Sequence, residues 1–317
     1  MLLIGHYEVD IDFESELREF DWVRPRWKET KLIACSPFRN EFHPSFAVSY
    51  DKNGIWIDSG GEGEWRSGRF TKLLSWLRNE TEEETEEYLL EKYFIVGFRD
   101  TDELELSFEG WNTEKKTNEV ILLSVLDQFK FIHPYLEEKR GIEEIYQRAL
   151  KIGYDPQKKA VSFPIFDKKG QLVNIKFRSV TDKIFWYYNN NPVRQHLYLL
   201  DLVMKKKAKR VFLVESEIDA ITLFKNGFPA VAVMGGSLTK NQKRLLLDTG
   251  IETLVLATDN DKQGRRLKKS IHSQLGGLMN IEEMSFPDHY KDVNDIPTAE
   301  LIEYATNTNE LTFDLVD

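Results

Sequence analysis

The residues best able to do chemistry cluster in the last third of the chain, each just beyond a short apolar run. Glu215 follows the run 210–214, Gly235-Gly236-Ser237 follows 230–234, and Asp259-Asn260-Asp261 follows 253–257. Asp288, Asp292 and Asp295 lie in the loop after 281–286. Carboxylates gathered from several segments repel one another unless something offsets their charge. A hard divalent cation is the economical partner, because Mg²⁺ takes a few carboxylates together with water and phosphate oxygens. Acidic residues also cap helices. For Asp219, one helical turn after Glu215, capping is an equal alternative. For Glu215, Asp259 and Asp261 taken together the metal reading prevails. Such a centre suits in-line displacement at phosphorus.

The elements that must position these residues read clearly. The apolar runs alternate with helical stretches of about ten residues, 218–226, 239–248, 265–275 and Thr298–Thr306. Continuously apolar strands separated by helices imply a parallel sheet covered on both faces. Ligands of such a sheet bind beyond the carboxyl ends of its strands. Upstream, 45–50 and 55–57 read as a hairpin about Asp51-Lys52-Asn53-Gly54. Residues 60–63 are glycine-rich and 70–79 form an amphipathic helix. The glutamates Glu80, Glu82, Glu83, Glu84, Glu86, Glu87 and Glu91 read as a solvated helix face. Residues 1–30 read as an irregular entry segment, and those to about 117 as a weakly patterned boundary. Residues 118–152 are helical in pattern with a turn at Gly141. Strands follow over 160–188, split by the turn Asp167-Lys168-Lys169-Gly170, and Phe185 to Tyr188 read as core. Lys176 and Arg178 are two apart on a strand and share a face. Cations so placed suit a triphosphate or a template backbone. The run Lys205 to Arg210 ends a helix, where cations offset the dipole.

The 317 residues carry a net charge of −10, which argues against a protein that coats nucleic acid without specificity. No apolar stretch reaches membrane-spanning length, no signal peptide is read, and the expected compartment is the cytoplasm of a bacterium or a phage-infected host. Cys35 is the only cysteine, so neither an intramolecular disulfide nor a multi-cysteine zinc cluster can form. There is no internal repeat and no Walker A sequence.

Several of these segments resemble one family. Val214-Glu215-Ser216-Glu217-Ile218-Asp219 resembles the first motif of TOPRIM domains, Asp259-Asn260-Asp261-Lys262-Gln263-Gly264 the second, and Gly235-Gly236-Ser237 the small-residue loop between them. Tyr290-Lys291-Asp292-Val293-Asn294-Asp295 is similar to a late motif of phage and organellar primases. The match keeps its order over about 209–306. TOPRIM domains also occur in topoisomerases and nucleases, and the upstream text decides among them. Pro134-Tyr135-Leu136 with Lys139-Arg140-Gly141, Lys151-Ile152-Gly153-Tyr154, Phe163-Pro164-Ile165-Phe166-Asp167, Asn174-Ile175-Lys176-Phe177-Arg178 and Arg194-Gln195-His196-Leu197-Tyr198 resemble the basic half of the DnaG-type primase core. Cys35-Ser36-Pro37-Phe38-Arg39 with His43-Pro44-Ser45-Phe46, and the turn at Gly60-Gly61, resemble that family's zinc ribbon. Its ligands are gone, with Arg39 near the place of a histidine.

The resemblance implies an α/β (α+β overall) chain in three parts: a zinc-ribbon-like β region without zinc over 1–95, the basic part of a primase core over 96–208, and a TOPRIM domain over 209–317. It implies synthesis of short RNA primers from NTPs on single-stranded DNA. Glu215, Asp259 and Asp261 would be catalytic; these with Asp292 would hold Mg²⁺ or Mn²⁺. Lys176, Arg178, Arg194, Asp219, Gly235 and Gly236 would contact nucleotide or DNA. A replicative helicase acting in trans is an expected partner, since no helicase motor or C-terminal helicase-binding domain is read. The alternatives are a TOPRIM nuclease and a non-catalytic primase-like protein that binds DNA or a replisome partner. A topoisomerase would need a further large domain.

Overall fold

The fold was obtained as a computed structural model, which describes residues 1–5, 7–39, 41–78, 82–93, 120–181, 184–189 and 191–310. Glu80 and the expected boundary between residues 95 and 96 lie outside these.

The N-terminal unit opens with the hairpin β1 (Leu2–Ile4) and β2 (Tyr7–Val9) and the short helix α1 (Phe13–Leu17). An antiparallel sheet of β3 (Arg26–Lys28), β4 (Lys31–Ala34), β5 (Phe46–Ser49), β6 (Ile55–Asp58) and β7 (Ser67–Gly68) follows in sequence order. The entry segment is therefore more regular than its composition suggested, because its strands are three residues long and too short to show alternation. The inner face of the sheet (Leu32, Ala34, Phe46, Val48 and Trp56) is buried beneath α2 (Phe70–Arg78) and joins Leu73 and Leu74 in one core. The helix α3 (Glu82–Tyr93) is tied down by Glu16, whose buried carboxylate accepts hydrogen bonds from Tyr88 Oη (3.1 Å), Lys92 Nζ (2.6 Å) and Tyr93 Oη (2.7 Å).

The β4–β5 and β6–β7 loops are knotted by ionic groups. Arg39 reaches Asp58 through Nε at 3.3 Å and Nη2 at 2.8 Å, and Nη2 also meets Ser45 Oγ and Glu41 Oε2, both at 2.7 Å. The Gly60 N–H donates to Asp58 at 3.0 Å. A Cβ on Gly60 would lie 2.2 Å from the guanidinium, so only glycine fits there. Burial alone would raise the Asp58 carboxyl; the bonds from Arg39, Ser36, Gly60 and Ser45 outweigh it and hold Asp58 below its ordinary value.

In the middle part, α4 (Tyr135–Arg140) ends at Gly141, whose φ of 62° supplies the left-handed cap. After α5 (Glu144–Ala149), the strands β8 (Gly153–Asp155), β9 (Ala160–Phe166), β10 (Leu172–Ser179) and β11 (Phe185–Tyr187) make an antiparallel sheet of order β11-β10-β9-β8. Then α6 (Leu200–Lys206) leads into the last part.

There β12 (Arg210–Val214), α7 (Glu217–Lys225), β13 (Ala230–Ala232), α8 (Lys240–Asp248), β14 (Thr253–Leu256), α9 (Lys262–Leu275), β15 (Asn280–Glu283) and α10 (Thr298–Thr306) alternate as expected. The sheet order is β13-β12-β14-β15-β16, parallel except for the antiparallel edge strand β16 (Asn309–Glu310). One hydrophobic cluster runs from Leu136 to Ala305, so the antiparallel sheet and the parallel sheet share a core. The N-terminal unit meets both: Trp76 stacks on Phe185, Glu19 pairs with Arg266 at 2.8 Å, and the Gly236 N–H donates to the carbonyl of Arg78 at 3.1 Å.

Candidate active site

Because β12 lies between β13 and β14, the first residues beyond these strands are neighbours. Glu215 accepts the N–H of Asp259 at 3.2 Å through its side chain, and the N–H of Met234 at 3.1 Å through its carbonyl. Met234 holds a φ of 59°, a left-handed conformation that a side-chain-bearing residue adopts at a cost, at the mouth of the glycine loop. The next two positions admit no side chain without a shift. A Cβ on Gly235 would lie 1.8 Å from the Arg194 guanidinium, and one on Gly236 would lie 2.5 Å from the Gln263 amide. Arg194 is 1% exposed and donates to Ser237 through its carbonyl (2.6 Å) and Oγ (2.9 Å), so it shapes this loop from beneath.

The Asp259–Asp261 loop is built as tightly. Asp261 caps α9 by accepting the Gly264 N–H at 2.9 Å. A Cβ on Gly264 would fall 2.0 Å from the Asp259 carbonyl, which explains the glycine in the Asp-x-Asp-x-x-Gly text. Asn260 does not face the site. Its amide donates to the carbonyls of Phe286 and Pro287 (3.2 Å each) and Tyr290 (3.1 Å), stapling the loop after β15 to this one. That loop carries Asp292, which caps the short turn Val293–Asp295, and Asn294, whose N–H donates to Asp219 at 3.0 Å. Asp219 also accepts the Ser216 hydroxyl at 2.5 Å and is 3% exposed.

The edge is strongly acidic. Burial first, then the Asp261 charge, pushes Glu215 up to about 8. Burial and then Glu215 push Asp259 up to about 10. Asp219 rises to about 7 through burial and the charge of Asp292, and Asp292 rises through burial and Asp295. The nearby cations, Arg140 and Lys291, offset this only in part; Lys291 Nζ lies 3.9 Å from Asp261. A half-buried set of hard oxygen donors that oppose one another's ionisation fits a divalent cation. As placed, no three His, Cys, Asp or Glu side chains among the described residues close around one point.

The structure thus brings Glu215, Asp259, Asp261, Asp292, Gly235 and Gly236 to one edge. It puts Asp219 and Arg194 beneath it. Lys176 lies in the interior, 6% exposed and paired with Glu217, away from solvent; Arg178 is partly exposed. Arg140, Asn260, Lys291 and Asn294 were not read as site residues. The signal for Arg140 was its position just before the helix-ending Gly141, which aims it at Asn294 (3.5 Å).

An α/β sheet with carboxylates at its carboxyl edge defines a class, and residues 212–296 match the Toprim-like family model. The chain is 24% identical over 346 residues to the DNA primase of Mycoplasma genitalium, covering 89% of this chain and 56% of that protein. It is 32% identical over 170 residues to the DNA primase of Thermotoga maritima, covering 49% and 30% respectively. The fold is similar to the Aquifex aeolicus primase structure of zinc-binding and RNA polymerase domains, with TM-score 0.51 and 21% identity over 95% of this chain and 84% of that one. The chain is thus similar to bacterial DNA primases, and its residues 212–296 are similar to Toprim-like domains. It spans about half the length, or less, of these curated relatives.

Proposed function

We propose that this protein synthesises short RNA primers from NTPs on single-stranded DNA. The observation that carries the reading is the convergence of Glu215, Asp259, Asp261 and Asp292 on one edge, within a chain whose fold follows a primase over nearly its whole length. These four residues would hold Mg²⁺, with Mn²⁺ able to substitute. When bound, the cation supplies charge stabilisation for the attacking and leaving oxygens of nucleotidyl transfer. Glu215, with its raised proton affinity, is suited to accept the proton of an attacking 3′-hydroxyl. The partly exposed Arg178 is suited to the triphosphate or the template backbone. The glycines let the Arg194 guanidinium and the Gln263 amide pack directly against this loop, which holds it at the acidic edge. A replicative helicase acting in trans is the partner this reading calls for.

Incubation with Mg²⁺ or Mn²⁺, labelled NTPs and mixed single-stranded templates tests it, with Asp259→Ala beside the parent. Short RNA products that vanish in the variant are expected. Template degradation without synthesis would point to a nuclease instead, and no metal-dependent chemistry on any template would refute both.

A further inference from the structure

We infer that Lys176 is a positioning residue for the acidic edge and acts through Glu217, rather than contacting triphosphate or template itself. The inference deepens the primase reading and rests on it.

Lys176 lies mid-strand on β10, paired on one side with Phe163 of β9 and on the other with Tyr187 of β11. Its ammonium sits 2.9 Å and 3.1 Å from the two carboxylate oxygens of Glu217, and 4.8 Å from the centre of the Phe185 ring. Lysine and glutamate are 6% and 4% exposed. Moving the ammonium to a nucleotide would leave the Glu217 carboxylate uncompensated and away from water, a cost that opposes the move. The pair therefore favours an ammonium that stays on Glu217.

The location of Glu217 gives the pair its use. Glu217 is the first residue of α7, directly after the N-cap Ser216, whose hydroxyl meets Asp219. Glu215 is one residue further back, its carboxyl held by the Asp259 N–H. The ion pair thus fixes β10, from the antiparallel sheet, against the turn where strand becomes helix and where the site glutamate projects. Phe185, also over the ammonium, is the ring on which Trp76 stacks, so the contact lies under the docking point of the N-terminal unit. Arg178, two residues on, is partly exposed and left for substrate.

A double-mutant cycle tests this in the full chain with Lys176→Met, Glu217→Leu and the pair combined. Melting temperature, its rise on adding Mg²⁺, and kcat and KM for NTPs are the readouts. Each single change is expected to lower the melting temperature, shrink the Mg²⁺-induced rise and cut kcat about tenfold or more with KM unchanged. The combined change, which removes both charges, is expected to recover the melting temperature, the Mg²⁺ response and kcat to within about threefold of the parent. Should Lys176→Met be too unstable to purify, the combined variant decides alone, since it lacks the ammonium. Recovery of stability without kcat, or a raised KM with native kcat, would overturn the inference and make Lys176 a substrate ligand. If the parent makes no primers, the primase reading fails by itself. The Mg²⁺ response then still decides whether the pair positions the edge, and an undiminished response in either single variant refutes it.

Discussion

Asp259 sits where burial and four neighbouring carboxyls all oppose its charge. Its folded proton affinity, like that of Glu215, is raised above the unfolded value, so the fold favours the protonated form. Without metal, stability is then greatest toward acid and declines as pH rises from the ordinary carboxyl range through about 8 to about 10. A cation that binds only the ionised, folded state reverses the loss. Mg²⁺ is therefore expected to raise the melting temperature by a few degrees near pH 8 and hardly at all near pH 5. Asp259→Asn should raise the metal-free melting temperature near pH 8 and abolish the Mg²⁺ response. Thermal melts of both proteins at the two pH values check this, and a Mg²⁺ response retained by the variant would remove Asp259 from the ligand set. These residues were legible in the sequence as carboxylates that follow apolar strands. The status of Lys176 was not. Alternation along a strand tells which face a side chain takes, but not whether that face meets water or the first turn of α7.

At the level of elements, β12, β13 and β14 were readable to within about two residues, since strands buried on both faces are apolar throughout, whereas β15, which carries Glu282 and Glu283, begins and ends earlier than the expected run 281–286. Residues 210–214 and 298–306 keep their expected bounds. The edge strand β16, two residues long, and the short strands before residue 30 left no such pattern, because their pairing depends on distant partners. The helix starts were legible in type but not in purpose. Thr239 and Gln242 form a reciprocal cap at the start of α8, the Thr239 hydroxyl donates to the Arg194 carbonyl at 2.9 Å, and the Gln242 amide reaches the His196 and Val233 carbonyls at 2.8 Å each. The cap therefore anchors the glycine loop as well as the helix. Thr239→Ala is expected to cost about 1–2 kcal/mol of stability by denaturant titration. Gly264→Ala, which drives a methyl into the Asp259 carbonyl, should cut primer synthesis by about tenfold or more while α9 stays formed by circular dichroism. Wild-type rates in that variant would show that the loop yields easily.

At the scale of the whole molecule, one core fills the N-terminal unit and a second runs beneath both remaining sheets, with two further clusters among the described residues packed against those sheets. Among the described residues the Trp76–Phe185 stack, the Glu19–Arg266 ion pair, the packing of Ile184 and the bond from Gly236 to Arg78 join the N-terminal unit to the rest, so the glycine loop is one place where that unit touches the acidic edge. Five of the seven tryptophans (Trp22, Trp27, Trp56, Trp65 and Trp76) lie in the N-terminal unit, and their fluorescence reports chiefly on it. Arg39→Met strands the buried carboxylate of Asp58 and is expected to lower the tryptophan-detected transition by about 3–5 kcal/mol, with far-ultraviolet circular dichroism showing the second core melting later. A single coincident transition would mean the cores unfold as one.

The knot that Arg39 closes has a bearing on biogenesis. Guanidinium, carboxylates and hydroxyls all arrive with the chain as it is translated, so the two loops can join at the ribosome without waiting for any delivered ion. The join yields to acid, as Asp58 takes up a proton below its lowered range.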